Sequence, residues 1–262
     1  MTAHTSLRPK AWLWTGRVVF VGVLFAAWQI AALRVGPLAA APPTTVVAWI
    51  LRETLHGDLL WQAWATWRKA SIGLSVGVSL ALVLSIVLYE AGAWGRAVES
   101  AIVATAGLPK YAMVPLFVLW LGVGELPSLA LVTLLAFYPV FIATAAGMAA
   151  IDRRLVAVVR LLGGSRAATA REVLPYSMLP FWLSAMQIAM PRAISGAVVA
   201  EMLVGQEGLG SRIEHARQTF DMPGVFGNLA VATLSIVGVH AVLRGVRVRI
   251  APWTPSGPNV AP

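Results

Sequence analysis

Few residues of this 262-residue chain are of types that carry out covalent or ligand chemistry, and their spacing removes most of what they could do. Residues 73–77, GLSVG, match the G-x-S-x-G pattern of a hydrolase nucleophile, which needs a strand, a sharp turn and a helix to expose its serine. Ser75 instead lies inside an uncharged apolar run, and the one base available in another such run, His240, has nothing in the sequence to bring it near. Gly73 and Gly77 read better as a small-xxx-small patch that lets a second helix approach closely. The four histidines, His4, His56, His215 and His240, form no pair at metal-ligand spacing, so neither a catalytic nor a metal site is expected. The absence of cysteine excludes disulfides, thiolate metal sites and cysteine nucleophiles. None of the three lysines, Lys10, Lys69 and Lys110, follows a glycine, so no G-K-[ST] phosphate loop exists. If the chain works with ATP, another chain binds the nucleotide.

The elements that would position the remaining candidates are set by composition. The chain is 58% hydrophobic and 12% charged, where an ordinary soluble domain is about one quarter charged. That reads as an integral membrane protein, all-α, with several spanning helices. The net charge of +9 resides in short segments between apolar runs and shows no basic face interleaved with aromatics, so it reads as a topology signal rather than a nucleic-acid surface. Covering a hydrocarbon core of about 30 Å takes about 20 apolar residues in helix. Six stretches come close: 14–34, 70–89, 98–123, 126–150, 177–203 and 225–243. Prolines 109, 115 and 191 predict kinks in the third and fifth. The first stretch follows a basic segment and precedes PLAAAPP, as a cleaved leader would, but its apolar run extends back through Trp12 and Leu13 and reads as a retained span. With the N-terminus inside, lysines and arginines divide twelve inside to six outside, which places both termini in the cytoplasm.

The chain then divides into a first segment and span (1–39), an external interfacial helix region (40–68), a core (69–250) and a proline-rich, disordered tail (251–262). Trp61, Trp64 and Trp67 recur at a three-residue step suited to the headgroup level. Four residues are candidates for a pathway through the core: Lys110, Pro115, Arg192 and Glu201. An ionisable group near the bilayer centre costs about 2.5 to 3.5 kcal/mol, so each charge needs a partner or an aqueous path. Lys110 and Arg192 each follow a proline and together suit an anion; snorkelling, or pairing of Arg192 with Glu201, is the competing reading. Glu201, at the outer end of its span, suits a gate or a seat for an external protein.

Between the fourth and fifth spans lies RLLGGSRAATAREVLP, residues 160–175. As a helix over 155–172 it is amphipathic, with Leu155, Val158, Val159 and Leu162 on one side, and it is too short and polar to span. Gly163 and Gly164 allow a bend or close approach, and Leu174-Pro175 ends the segment. An ordinary positively charged cytoplasmic loop is the plain alternative.

The G-x-S-R pattern followed by V-L-P in this position resembles the cytoplasmic coupling loop of type I ABC importer permeases, and more narrowly the nitrate, sulfonate and taurine branch. PKYAMVPLFVLWLGVGE (109–125), AEMLVGQEGLG (200–210) and TWRKASIGLSVG (66–77) resemble that branch's third span, the outer loop after its fifth span and the entry to its second. The resemblance covers roughly residues 40–253. In two respects the chain departs from the family: Ala157, Val158 and Val159 stand where Glu-Ala-Ala is usual, and the closing Leu-Pro comes one residue early.

The resemblance implies the type I permease fold with six transmembrane helices, in the bacterial cytoplasmic membrane. It implies that a cytoplasmic ABC ATPase dimer, which holds ATP and magnesium, grips the 152–175 loop through Arg160, Gly163, Gly164, Ser165, Arg166, Arg171, Leu174 and Pro175. Further implied partners are a second permease copy, forming a homodimer, an external solute-binding protein and membrane lipid; no nucleic acid is implied. The chain itself would hold no cofactor and perform no covalent chemistry. A stand-alone ion-driven transporter and an intramembrane enzyme are the alternatives from other classes.

Overall fold

Long apolar runs without a charge satisfy their backbone only as helices, and helices are what the computed structural model contains over its described residues, 10–165, 171 and 173–250. In chain order these are α1 (Lys10–Val35), α2 (Pro43–His56), α3 (Leu59–Glu90), α4 (Gly92–Thr105), a 3-10 turn (Lys110–Met113), α5 (Val114–Leu121), α6 (Glu125–Ala149), α7 (Arg153–Leu161), α8 (Leu174–Val204), α9 (Leu209–Gln218) and α10 (Met222–Ile250). Five helices among the described residues are long and apolar enough to cross a membrane, and α4 with the segment through α5 makes a sixth if that bent pair is one span.

The core is α6 packed between α3 and α8. Close approach is written into small residues at helical spacing: α3 buries Ala70, Gly73, Gly77 and Ala81, and α8 buries Ala185, Ala189, Ala193, Gly196, Ala197 and Ala200. A methyl group at Gly73 would stand 2.6 Å from Val132 Cβ, and one at Gly77 would stand 2.5 Å from the Thr133 carbonyl, so both glycines are required for α3 to lie on α6. Val132, Ala136, Val140 and Phe141 of α6 fill the space between the stripes. α1 buries almost nothing and turns a wide apolar surface outward.

Ser75 is an exposed residue in the middle of α3 whose hydroxyl donates to the Ser71 carbonyl at 2.8 Å. No strand or elbow surrounds it, and His240 is an exposed residue of α10.

The structure departs from the sequence reading in four places. The expected 98–123 span is not one kinked helix: α4 and the segment through α5 meet at 88° across a short break. The boundary expected at residue 68 falls inside α3, which runs 32 residues and takes in the tryptophan-rich stretch. Trp61 and Trp64 are exposed there, but Trp67 turns inward and donates through Nε1 to Ser235 Oγ at 3.3 Å, so the stripe is not uniform. The helix expected over 155–172 stops at Leu161, where Leu162 and Gly163 turn the chain, with Gly163 at φ +79°. The tail at 251–262 lies outside the described residues.

Candidate functional site

The functional candidates distribute over the two ends and the middle of the bundle. One end carries α9 and the starts of α3, α6 and α10; the other carries α7 and the turn between α3 and α4.

At the α9 end, one face of α3 presents Gln62, Thr66 and Lys69, four and three residues apart, to the loop that follows α8. Lys69 Nζ donates to Glu201 Oε1 at 3.1 Å and to the Glu207 carbonyl at 2.6 Å. Thr66 donates to Glu201 Oε2 at 2.8 Å, and the Gly210 amide donates to the same oxygen at 3.0 Å. The Leu209 amide donates to Thr66 Oγ1 and the Gly208 amide to Gln62 Oε1. Lys69 and Glu201 expose 2% and 0% of their side chains, which makes this a fully enclosed ion pair. The glycines of VGQEGLG follow from that geometry: a Cβ at Gly205, Gly208 or Gly210 would run into Glu201, and Gly208 also holds φ +113°. The loop is glycine-rich because it doubles back tightly on Glu201, with Gly208 against the carboxylate, Gly205 against the Glu201 backbone and Gly210 against the Val198 carbonyl.

Beside this knot, Arg68 joins Glu207 at 2.8 Å and also Glu125, tying α3 to the loop and to the start of α6. Arg212 of α9 pairs with Glu53 at 2.8 Å and with Asp58, and its guanidinium lies 5.5 Å from the ring centre of buried Trp49. Glu214, half-buried on α9, is held down at about pKa 2 by hydrogen bonds from Arg217 and Gln218.

Near the middle of the bundle, the break between α4 and α5 gathers a second polar group. Lys110 Nζ donates to the Ala106 carbonyl and at 3.4 Å to the Leu108 carbonyl, and stands 4.5 Å from the centre of the Tyr138 ring. The Tyr138 hydroxyl is 2.8 Å from Thr105 Oγ1. Arg192 of α8 is close enough for its charge to repel that of Lys110, and it is exposed. Each of three polar residues here adjoins a proline in sequence: Pro109 and Lys110, Tyr138 and Pro139, Pro191 and Arg192. Proline removes an intrahelical hydrogen bond and opens the backbone.

The charges of Lys110 and Arg192 therefore act on one another, whereas the Glu201 carboxylate is enclosed at the α9 end. Pro115 is an exposed residue in the first turn of α5. The Glu201 carboxylate is committed to Lys69, Thr66 and Gly210, so it does not pair with Arg192. Lys69 was missed because TWRK reads as a basic loop boundary; the signal that could have found it is an acid in an apolar span, which requires a cation. α9 was also not anticipated.

At the opposite end, Asp152 accepts from the Arg154 amide at 2.8 Å through Oδ1, starting α7. Val156 and Val159 of α7 face partly inward, while Leu155, Val158, Leu161 and Leu162 are exposed by 51%, 51%, 85% and 83%. Tyr89, Met148, Ile151, Val156 and Leu161 line a cavity of about 700 Å³ under the helix. The Gly164 amide donates to the Val159 carbonyl at 2.8 Å, closing the turn. Ser165, Arg171 and Pro175 are exposed and Leu174 is half-buried. Arg166 and the side chain of Arg160 lie outside the described residues.

Comparison with known proteins bears on this arrangement. The family described as binding-protein-dependent transport system inner membrane component matches residues 73–254. The formylaminopyrimidine transport permease protein ThiX of Halalkalibacterium halodurans is 31% identical over 240 residues, covering 90% of this chain and 94% of its own. The taurine transport system permease protein TauC of Escherichia coli K12 is 26% identical over 234 residues, covering 86% and 84%. Among solved structures, a chain of the MetNI methionine ABC transporter in an inward-facing conformation superposes with a TM-score of 0.63 at 18% identity, over 74% of this chain and 96% of that one.

Proposed function

The chain belongs to the family of binding-protein-dependent transport system inner membrane components, and from that premise we propose that it forms the path of a small anionic solute through an ATP-driven importer. It is the permease subunit of an ABC importer, with the type I fold, and a multi-pass protein of the plasma membrane. The family implies an ATPase and a solute-binding protein as partners.

The orientation that fits these partners puts both termini and α7 in the cytoplasm and α9 outside. The exposed apolar row Leu155, Val158, Leu161 and Leu162 is then the surface a cytoplasmic ATPase dimer grips, with the arginines of the same segment, Arg160, Arg166 and Arg171, against acidic rims. ATP and magnesium belong to that partner. A second copy of this chain completes the pathway as a homodimer, and the outer loop at 205–210 lies on the side where a binding protein delivers its solute.

The observation that carries the anionic reading is the Lys110 ammonium held at the break by the Ala106 and Leu108 carbonyls and the Tyr138 ring, with the charge of Arg192 acting on it. Two like charges near one another in an apolar bundle are unfavourable unless something negative comes between them. ThiX is named for a pyrimidine and TauC for a sulfonate, so relatives differ in solute. The test is ATP-driven uptake by the reconstituted complex of radiolabelled taurine, ethanesulfonate and formylaminopyrimidine. A transported sulfonate, lost in Lys110→Ala and Arg192→Ala with the complex still assembled, supports the reading; transport of the pyrimidine alone, or normal uptake by both variants, overturns it.

A further inference from the structure

Tyr138 touches both sides of the broken span. Its hydroxyl meets Thr105, the last residue of α4, and its ring lies under the ammonium of Lys110, the first residue of the 3-10 turn. The ring is itself held: Phe137 packs edge-on against it at 5.3 Å and stacks on buried Phe141 at 5.2 Å. We propose that Tyr138 is a positioning residue for the solute site, fixing the Lys110 ammonium beside Arg192 by clamping the two sides of the break together.

The geometry gives each part of the ring system a separate task. A cation over an aromatic face is attracted by the ring quadrupole, and this contact is stronger away from water. The carbonyls of Ala106 and Leu108 take hydrogen bonds from the same ammonium, so it is held from two directions and left facing the third. The link from the hydroxyl to Thr105 fixes the end of α4, and with it the residues that carry those carbonyls. Lys110 has a long flexible stem, and holding its head in one place removes entropy that a solute would otherwise have to remove on binding. Tyr138 acts through Lys110 and contacts no solute in this account.

This rests on the anionic reading of the Lys110 and Arg192 pair, and the experiment separates the two. The equilibrium binding of radiolabelled ethanesulfonate is measured on the purified permease–ATPase complex without its binding protein, whose own affinity would mask the site. Tyr138→Leu is expected to raise the dissociation constant about two- to fivefold, the size of a lost cation–π contact at a partly exposed site. Tyr138→Phe keeps the ring but loses the link to Thr105, and its affinity is expected to fall between those of Tyr138→Leu and the wild type. In a Lys110→Ala background, Tyr138→Leu is expected to change nothing further, whereas a merely structural role would weaken binding in both backgrounds. Unchanged binding in Tyr138→Leu, or an equal loss with and without Lys110, overturns the positioning role. An absence of binding by the wild-type complex, or full binding by Lys110→Ala, overturns the anionic reading and the positioning role with it.

Discussion

Lys69 Nζ stands 3.1 Å from Glu201 Oε1 with both side chains enclosed, where α3, the end of α8 and the glycine loop meet. Removing one partner of such a pair leaves an uncompensated buried charge and costs about 3–5 kcal/mol, whereas removing both avoids that cost. Lys69→Met and Glu201→Met are therefore each expected to lower the unfolding midpoint of the detergent-solubilised protein more than the double variant does. Additive losses in the double variant would show that the charges do not depend on one another.

Gly208 and Gly92 both hold positive φ, at +113° and +63°, but only the first has a carboxylate where a side chain would go. Alanine at either site brings backbone strain of about 1–3 kcal/mol. Gly208→Ala adds a collision with Glu201 and is expected to be clearly the more destabilising of the two. Thermal unfolding of the two variants side by side makes the comparison.

Glu214 is pulled down to about pKa 2 from an ordinary value near 4.5 by its hydrogen bonds with Arg217 and Gln218. A depressed carboxylate contributes stability above its unfolded pKa and loses it as pH falls through the folded value. The pair on α9 thus stays charged through the mildly acidic range. Because its partner Arg217 is exposed to solvent and the pair lies within one turn of α9, loss of the Glu214 charge is expected to leave stability nearly unchanged. The pH profile of ATP hydrolysis by the complex from about pH 4 to about pH 8 is expected to be the same for Glu214→Gln as for the wild type. A shift of the acid limb in the variant would contradict this.

The spans were legible because membrane insertion demands long apolar helices, and α3, α8 and α10 contain the stretches expected of them, while α6 matches its own to within one residue. The packing of α3 on α6 was legible too, since Gly73 and Gly77 at four-residue spacing announce a close approach. The 88° bend was not. Pro109 and Gly107 mark a weak point, but the direction of the chain beyond it depends on Val114 and Phe117 packing against Leu131 and Leu135, contacts between distant segments. The same holds for the knot at Glu201. The glycines at 205, 208 and 210 read as a family pattern, while their physical cause is the tight return of the loop on Glu201 and the Val198 carbonyl, which only the fold shows. Lys110 and Arg192 were singled out from their positions beside prolines, while the charge of Arg192 acting on Lys110 comes only from the fold.

The central claim is that this bundle is moved by a separate ATPase through the exposed face of α7. Leu161 and Leu162 are the most exposed large apolar residues on that face, and replacing both with aspartate leaves the bundle core untouched. The direct measurement is solute uptake into proteoliposomes holding this chain with its ATPase and binding protein, comparing wild type with the Leu161→Asp/Leu162→Asp variant. The account predicts uptake that requires ATP and the ATPase, and that is lost in the variant together with retention of the ATPase on a tagged permease. Uptake by the chain alone under an ion gradient, or full ATP-driven uptake by the variant, would contradict it.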